Sequence, residues 1–146
     1  ETNILFTGGP DGVFVKSDKS HIIIDYKTAK YTGTQDRLFP MYQAQLNGYA
    51  MIGNQRGLEP VSDLALIYME PVTDKLAAAS DANHHQDGFS MGFTANIHKV
   101  KLDLAIIPPL LAETRRIYDL DYPPDGRKGC DDCQLLEGMI EIIDYS

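Results

Sequence analysis

The stretch GPDGVFVKSDKSHIIIDYKTAK, Gly9–Lys30, decides how this chain is read. Two runs rich in β-branched residues flank the polar segment around Asp18, the pattern of a β-hairpin. Strands are expected over Gly12–Lys16 and His21–Thr28. Alternate side chains of a strand share a face, so Ile23, Asp25 and Lys27 point one way and Ile22, Ile24 and Tyr26 the other. Asp11, Val13 and Val15 share a face by the same rule. A turn centred on Asp18 sets Val13 opposite Ile23 and brings Asp11 opposite Asp25. Cross-strand Cβ atoms in such pairs are about 4.5–5.5 Å apart. Two carboxylates so close repel and require a counter-charge. Lys27 supplies one. A hard divalent cation, Mg²⁺ or Mn²⁺, suits carboxylate oxygens and supplies more, and the backbone carbonyl of Tyr26 is a further candidate ligand. The competing reading is a solvated strand face, because an Asp-x-Lys pattern alone is common on surfaces.

Outward from the hairpin the elements alternate. Ile4–Thr7 reads as a short strand. The segment YTGTQD is a loop, with Asp36 a suitable N-cap for a helix over Arg37–Ile52. Pro40 falls in the first turn, where proline is tolerated, and Gly53 is the expected stop. The continuous apolar run LALIYM, Leu64–Met69, reads as a buried strand. Thr73–Gly88 is polar and irregular, with a helical turn at DKLAAA. Phe89–Leu102 alternates like a strand, with a break before Ile97, and Asp103–Leu120 reads as a helix that Pro108 and Pro109 force to kink or begin late. Pro123–Gly129 is turn-rich, and Gln134–Ile143 is a short final helix or strand. The expected fold is α/β, a single domain over residues 1–146 with a mixed central β-sheet flanked by helices, and with a cysteine-containing C-terminal segment at about 123–146.

Composition narrows the function classes. Of 146 residues 43% are hydrophobic and 23% charged, ordinary for a globular domain with a real core. The longest greasy stretch, LDLAIIPPLLA, is too short to span a bilayer and is split by prolines, so no membrane partner is expected. A net charge of -8 excludes a protein that coats nucleic acid through bulk basicity. It leaves open an enzyme that reaches nucleic acid through a local metal site. Two cysteines, Cys130 and Cys133, are too few for a disulfide scaffold, and a reducing, cytoplasmic setting is expected.

Pro10–Asp11, then Asp25-Tyr26-Lys27, then QLNGY at Gln45–Tyr49 together resemble the PD-(D/E)XK nuclease superfamily, in its RecB-like branch. That branch includes the nuclease domains of RecB-type and AddB-type recombination proteins and the CRISPR-associated RecB-like exonucleases. The motifs run from about Phe6 to Tyr49. Gln45 and Tyr49 are four residues apart and share a helix face. The resemblance implies a restriction-endonuclease-like core and a Mg²⁺- or Mn²⁺-dependent deoxyribonuclease. It implies an exonuclease in repair, recombination, phage or defence systems, acting on DNA and working within a larger nuclease, helicase, phage or defence complex. It makes Asp11 and Asp25 the metal ligands. Lys27 would steady the attacking water and the charge on the phosphate, Gln45 would anchor the site, and Tyr49 would hold the helix on the sheet or touch DNA. Relatives carry an upstream helix with a further acid or histidine, and such a helix is expected before Glu1. Without that acid, a catalytically silent DNA- or protein-binding module of the same fold is the alternative.

Some relatives hold an iron–sulfur cluster on four cysteines. This chain has only Cys130 and Cys133, so a cluster is not supported, and the pair reads as free thiols or the remnant of a metal or cluster site. His84–His85, near Asp81 and Asp87, reads as a solvated loop before a metal site. His21 and His98 read as strand residues. Gly8–Gly9 lacks the lysine–serine pattern of a phosphate-binding loop. Lys99 and Lys101 are equally a DNA-facing or an exposed strand face, while Arg115–Arg116 and Arg127–Lys128 read as ordinary surface.

Overall fold

The structure, a computed structural model, describes residues 2–31 and 37–144. The chain divides into two compact units, one spanning Ile4–Leu110 and the other comprising Leu111 onward together with the residues before Ile4. The first is a mixed α/β fold. Its larger sheet has four strands, β1 (Gly12–Val15), β2 (His21–Lys27), β3 (Val61–Pro71) and β6 (Phe93–Val100), in the order β1-β2-β3-β6. The sheet is mixed: β1–β2 and β3–β6 pair antiparallel and β2–β3 parallel. A parallel pair needs a crossover, and α1 (Phe39–Gln55) supplies it. Helix α2 (Lys75–Ala79) and the ribbon of β4 (His84–His85) and β5 (Gly88–Phe89) lie between β3 and β6 in the chain.

The hairpin has the anticipated register, with Val13 opposite Ile23 and Gly12 opposite Ile24. A three-residue loop, Ser17–Lys19, closes it. Lys16 N–H donates to the Ser20 carbonyl at 2.8 Å, and Lys19 takes the left-handed conformation at φ 66°. This is the usual three-residue hairpin geometry. Asp18 Oδ1 accepts from both the Ser20 N–H and its hydroxyl, which fixes the loop locally.

One face of the sheet carries the core. Ile23, Leu64, Leu66, Tyr68 and Val100 pack with Leu46 and Ala50 of α1. Small residues let that helix come close: at Gly53 an added Cβ would lie 3.3 Å from the Leu58 side chain and 3.6 Å from that of Ile23. Asn47, fully buried, ties the helix to the end of β6. Its amide donates to the Gln43 and Lys101 carbonyls at 2.9 and 3.0 Å and its oxygen accepts from Asp103 N–H at 2.6 Å. The opposite face bears Phe14, Ile22, Ile24, Ala65, Ile67 and Ile97, with Phe14 and Ile97 largely exposed.

Several expectations need correction. Ile4–Thr7 is not a strand; it joins no ladder among the described residues, and Phe6 packs instead on α1. Gly53 does not end α1. The helix runs to Gln55, and Gly57, at φ 94°, is the glycine that turns the chain, with Leu58 N–H closing back on the Gly53 carbonyl at 2.9 Å. The expected cap Asp36 lies outside the described residues; the N-cap position is Leu38, with proline in the first turn as anticipated. The LALIYM strand is longer than its apolar run and begins at Val61. The helix after β6 begins late: a 3₁₀ turn over Leu104–Ile106 precedes α3 (Ile107–Tyr118), putting both prolines in the first turn. The C-terminal segment forms a helix, α4 (Asp131–Asp144). No helix among the described residues is long and apolar enough to cross a membrane.

Candidate functional site

The site sits where β2 ends beneath α1. Asp25 follows Ile22–Ile24 into the covered part of the sheet, because one strand face must be buried against the helix. It is 4% exposed. Lys27, two residues on, points to the same face with its side chain 18% exposed. Its ammonium lies 2.5 Å from Asp25 Oδ2. The two side chains form a close, largely buried ion pair.

Gln45 reaches down from α1 and joins the pair. Its Oε1 accepts from the Lys27 ammonium at 3.2 Å, while its Nε2 donates to Asp25 Oδ1 at 3.4 Å and to the Tyr49 hydroxyl at 2.8 Å. The amide is thus oriented by charge, its oxygen toward the cation and its nitrogen toward the anion. Tyr49 is a positioning residue for Gln45. Its ring is held in turn by the chain at Gly8, where an added Cβ would lie 2.5 Å from Tyr49 Cε1. That contact explains the glycine: backbone passes directly over an aromatic ring.

Tyr42 was not singled out from sequence, yet the Lys27 ammonium lies 4.3 Å from its ring centroid, a cation–π contact. The signal was present, since positions 42, 45 and 49 share one helix face by spacing. Phe6 was likewise missed as a support. Its ring lies where a Cβ on Gly48 would be 2.7 Å away.

Asp11 lies just before β1 and is exposed. Its Oδ2 accepts from Tyr26 N–H at 2.7 Å, capping the strand where the β1 ladder stops at Gly12. The carboxylate therefore sits beside the residue that follows Asp25, and its other oxygen is not used by that bond.

Asp25 Oδ2 is buried and lies against the Lys27 ammonium, so a cation would share the Asp25 carboxylate with that lysine. The available donors are two carboxylates and a backbone carbonyl. Mg²⁺ commonly takes one or two carboxylates and keeps several waters, so this set fits a magnesium-class ion. Among the described residues no cluster of three or more His, Cys, Asp or Glu side chains gathers.

The other residues singled out from sequence lie elsewhere. His84 Nε2 contacts the Ala78 carbonyl at 2.8 Å and His85 Nε2 the Ser90 hydroxyl at 2.7 Å, so both rings brace the β4–β5 ribbon. His98 shares a 3.0 Å hydrogen bond with the Tyr31 hydroxyl and stacks edge-on against Phe39. Lys101 pairs with Asp103, Arg115 with Asp119, and Arg116 with Glu113. Lys99 lines the open face of the sheet with Lys16 and Asp63. The Lys16 ammonium, hydrogen-bonded to Asp63 at 2.9 Å, holds that carboxyl below its ordinary range. Cys130 and Cys133 belong to the second unit.

No protein-family model, no curated protein and no solved structure matches this chain.

Proposed function

We propose that the chain is a metal-dependent nuclease of PD-(D/E)XK type, with a restriction-endonuclease-like core, that hydrolyses phosphodiester bonds in DNA. One observation carries the reading: a buried aspartate, a lysine two residues on and a glutamine from the crossover helix converge on one another in the order that the superfamily's motifs imply. An ion pair this deeply placed is costly to desolvate and weak as a device for stability, which favours a chemical role for it.

Asp11, Asp25 and the Tyr26 carbonyl would hold Mg²⁺ or Mn²⁺. When bound, the ion supplies an acidified water and neutralises charge on the phosphate. The chain's own groups do the rest. The Lys27 ammonium, fixed by Asp25, Gln45 and the Tyr42 ring, offers positive charge to the phosphate oxygens as they gain negative charge. Gln45 keeps that ammonium and Asp25 in register, and Tyr49 keeps Gln45 in place. With a net charge of -8, the protein relies on its metal and on partner subunits to hold DNA, consistent with an exonuclease inside a larger repair, recombination, phage or defence complex in the cytoplasm. The second reading, a silent module of the same fold that binds DNA or protein, is favoured by the small acidic donor set.

The test is cleavage of end-labelled single- and double-stranded DNA across a titration of Mg²⁺ and Mn²⁺. Metal-dependent cleavage that Asp25→Ala and Lys27→Ala both abolish is expected. DNA binding without cleavage under either metal selects the silent module, and cleavage untouched by both substitutions removes the site assignment.

A further inference from the structure

The segment GRKGCDDC, Gly126–Cys133, is built around its two sulfurs. Cys130 N–H donates to the Arg127 carbonyl at 3.0 Å, closing a tight turn in which Gly129 takes φ 75°. Only glycine accepts that conformation freely. The turn delivers Cys130 to the N-cap position of α4, where its carbonyl accepts from Gln134 N–H at 3.1 Å. Its sulfur then does what a serine or aspartate oxygen does at a cap: Sγ accepts from the Cys133 N–H at 3.3 Å. Cys133 is one turn along the same helix. The chain at Gly126 crosses it so closely that an added Cβ would lie 2.7 Å from Cys133 Cβ and 3.2 Å from its sulfur. Both residues are partly exposed, and both are free.

We propose that Cys130 and Cys133 form a redox-active dithiol that low-molecular-weight disulfides of the glutathione class convert to an intramolecular disulfide. Cys130 is the attacking sulfur. Its sulfur faces the neighbouring Cys133 thiol, accepts from the Cys133 N–H and has Arg127 nearby; these hold its thiol below the ordinary range. Cys133 is pushed the other way, first by the neighbouring Cys130 sulfur and then by burial, with Glu137 adding to the effect. The helix N-terminus favours the thiolate at Cys130, while Asp131 and Asp132 in the first turn oppose it.

The exchange balances in two displacements. The Cys130 thiolate attacks one sulfur of the oxidant's disulfide, forming a mixed disulfide and expelling one small thiolate, which takes up the proton Cys130 gave. Cys133, losing its proton, then attacks Cys130 Sγ and expels the second small thiol. The protein loses two protons and two electrons, and the oxidant takes them up to become two thiols. The inference rests on the second unit alone and is independent of the nuclease reading.

The experiment uses the full reduced chain, incubated with glutathione disulfide at neutral pH and followed by intact mass and thiol labelling. The expected product is monomeric, lighter by two hydrogens, with both thiols lost and both restored by dithiothreitol. Cys133→Ser should trap one glutathione on Cys130, because the resolving thiol is gone. In the reduced wild type, Cys130 should alkylate before Cys133, following its greater thiolate fraction. Serine is itself a good N-cap, so Cys130→Ser keeps α4 and provides a folded control whose circular dichroism should match wild type. Free thiols after prolonged incubation would overturn the proposal. So would a disulfide-linked dimer in place of the internal bond, a Cys133→Ser protein that captures no glutathione, or a zinc ion bound through both sulfurs in the purified protein.

Discussion

Replacing Lys27 by methionine keeps the length of the side chain and removes its charge. It leaves Asp25, 4% exposed, with Gln45 Nε2 at 3.4 Å from Oδ1 as its hydrogen bond and no ammonium beside Oδ2. Breaking a fully buried ion pair from one side costs about 3–5 kcal/mol, since the remaining charge stays buried without compensation. The lysine side chain is 18% exposed, and water entering from its side puts the expectation at the low end, about 3 kcal/mol. For a domain of this size that lowers the melting temperature by on the order of 10 °C. Asp25→Asn combined with Lys27→Met removes both charges and should regain most of the loss. Urea unfolding followed by circular dichroism, run as a double-mutant cycle without metal and again with Mg²⁺, measures this directly. Mg²⁺ should stabilise the Lys27→Met protein more than wild type, because the ion then becomes the missing counter-charge. Equal stabilities for Lys27→Met and wild type, with no coupling in the cycle, would refute the claim that these two groups depend on each other.

Three further outcomes follow from the packing. Gly8→Ala places a methyl 2.5 Å from the Tyr49 ring, and displacing one side of that contact should cost about 1 kcal/mol and loosen the Gln45–Tyr49 bond; unchanged urea midpoint and unchanged Tyr49 ring signals in NMR would count against it. Asn47→Ala removes the partner of the Asp103 N–H and of the Lys101 carbonyl and should cost about 1–3 kcal/mol, with loss of hydrogen-exchange protection at Asp103; a midpoint equal to wild type would contradict the clamp. Asp63, whose carboxyl the Lys16 ammonium holds below its ordinary range, should stabilise the fold modestly at neutral pH. A depressed folded-state value means that this contribution is present above the unfolded carboxyl range and fades as pH falls through the folded one. Asp63→Asn should therefore be slightly less stable than wild type at pH 7 and equal to it in strong acid; a gap that persists there would show that the lost stability is not electrostatic.

The hairpin register was legible because two local signals agree: three consecutive isoleucines demand burial, and a three-residue polar loop fixes which residues oppose one another. The convergence of Asp25, Lys27 and Gln45 was legible for a related reason, since strand period and helix period each put their residues on a single face. Other features depended on choices that no short window carries. Ile4–Thr7 has a strand-like composition, but whether a ladder edge is offered to it is a tertiary matter, and Phe6 found α1 instead. Between Gly53 and Gly57 the sequence offers two possible helix stops. Burial under Leu58 and Ile23 claims the first as a packing glycine and leaves the left-handed position to the second. The β4–β5 ribbon escaped notice because a strand of two residues has no periodicity to read.

The central claim is that Asp11 and Asp25 jointly hold a divalent cation beside Lys27 and Gln45. Titration of the protein with Mn²⁺, read as the loss of the free-ion signal in electron paramagnetic resonance, tests it most directly. The account predicts a bound ion in wild type that Asp25→Asn and Asp11→Asn each weaken severely while both variants remain folded. Mn²⁺ binding left intact by both substitutions would contradict it.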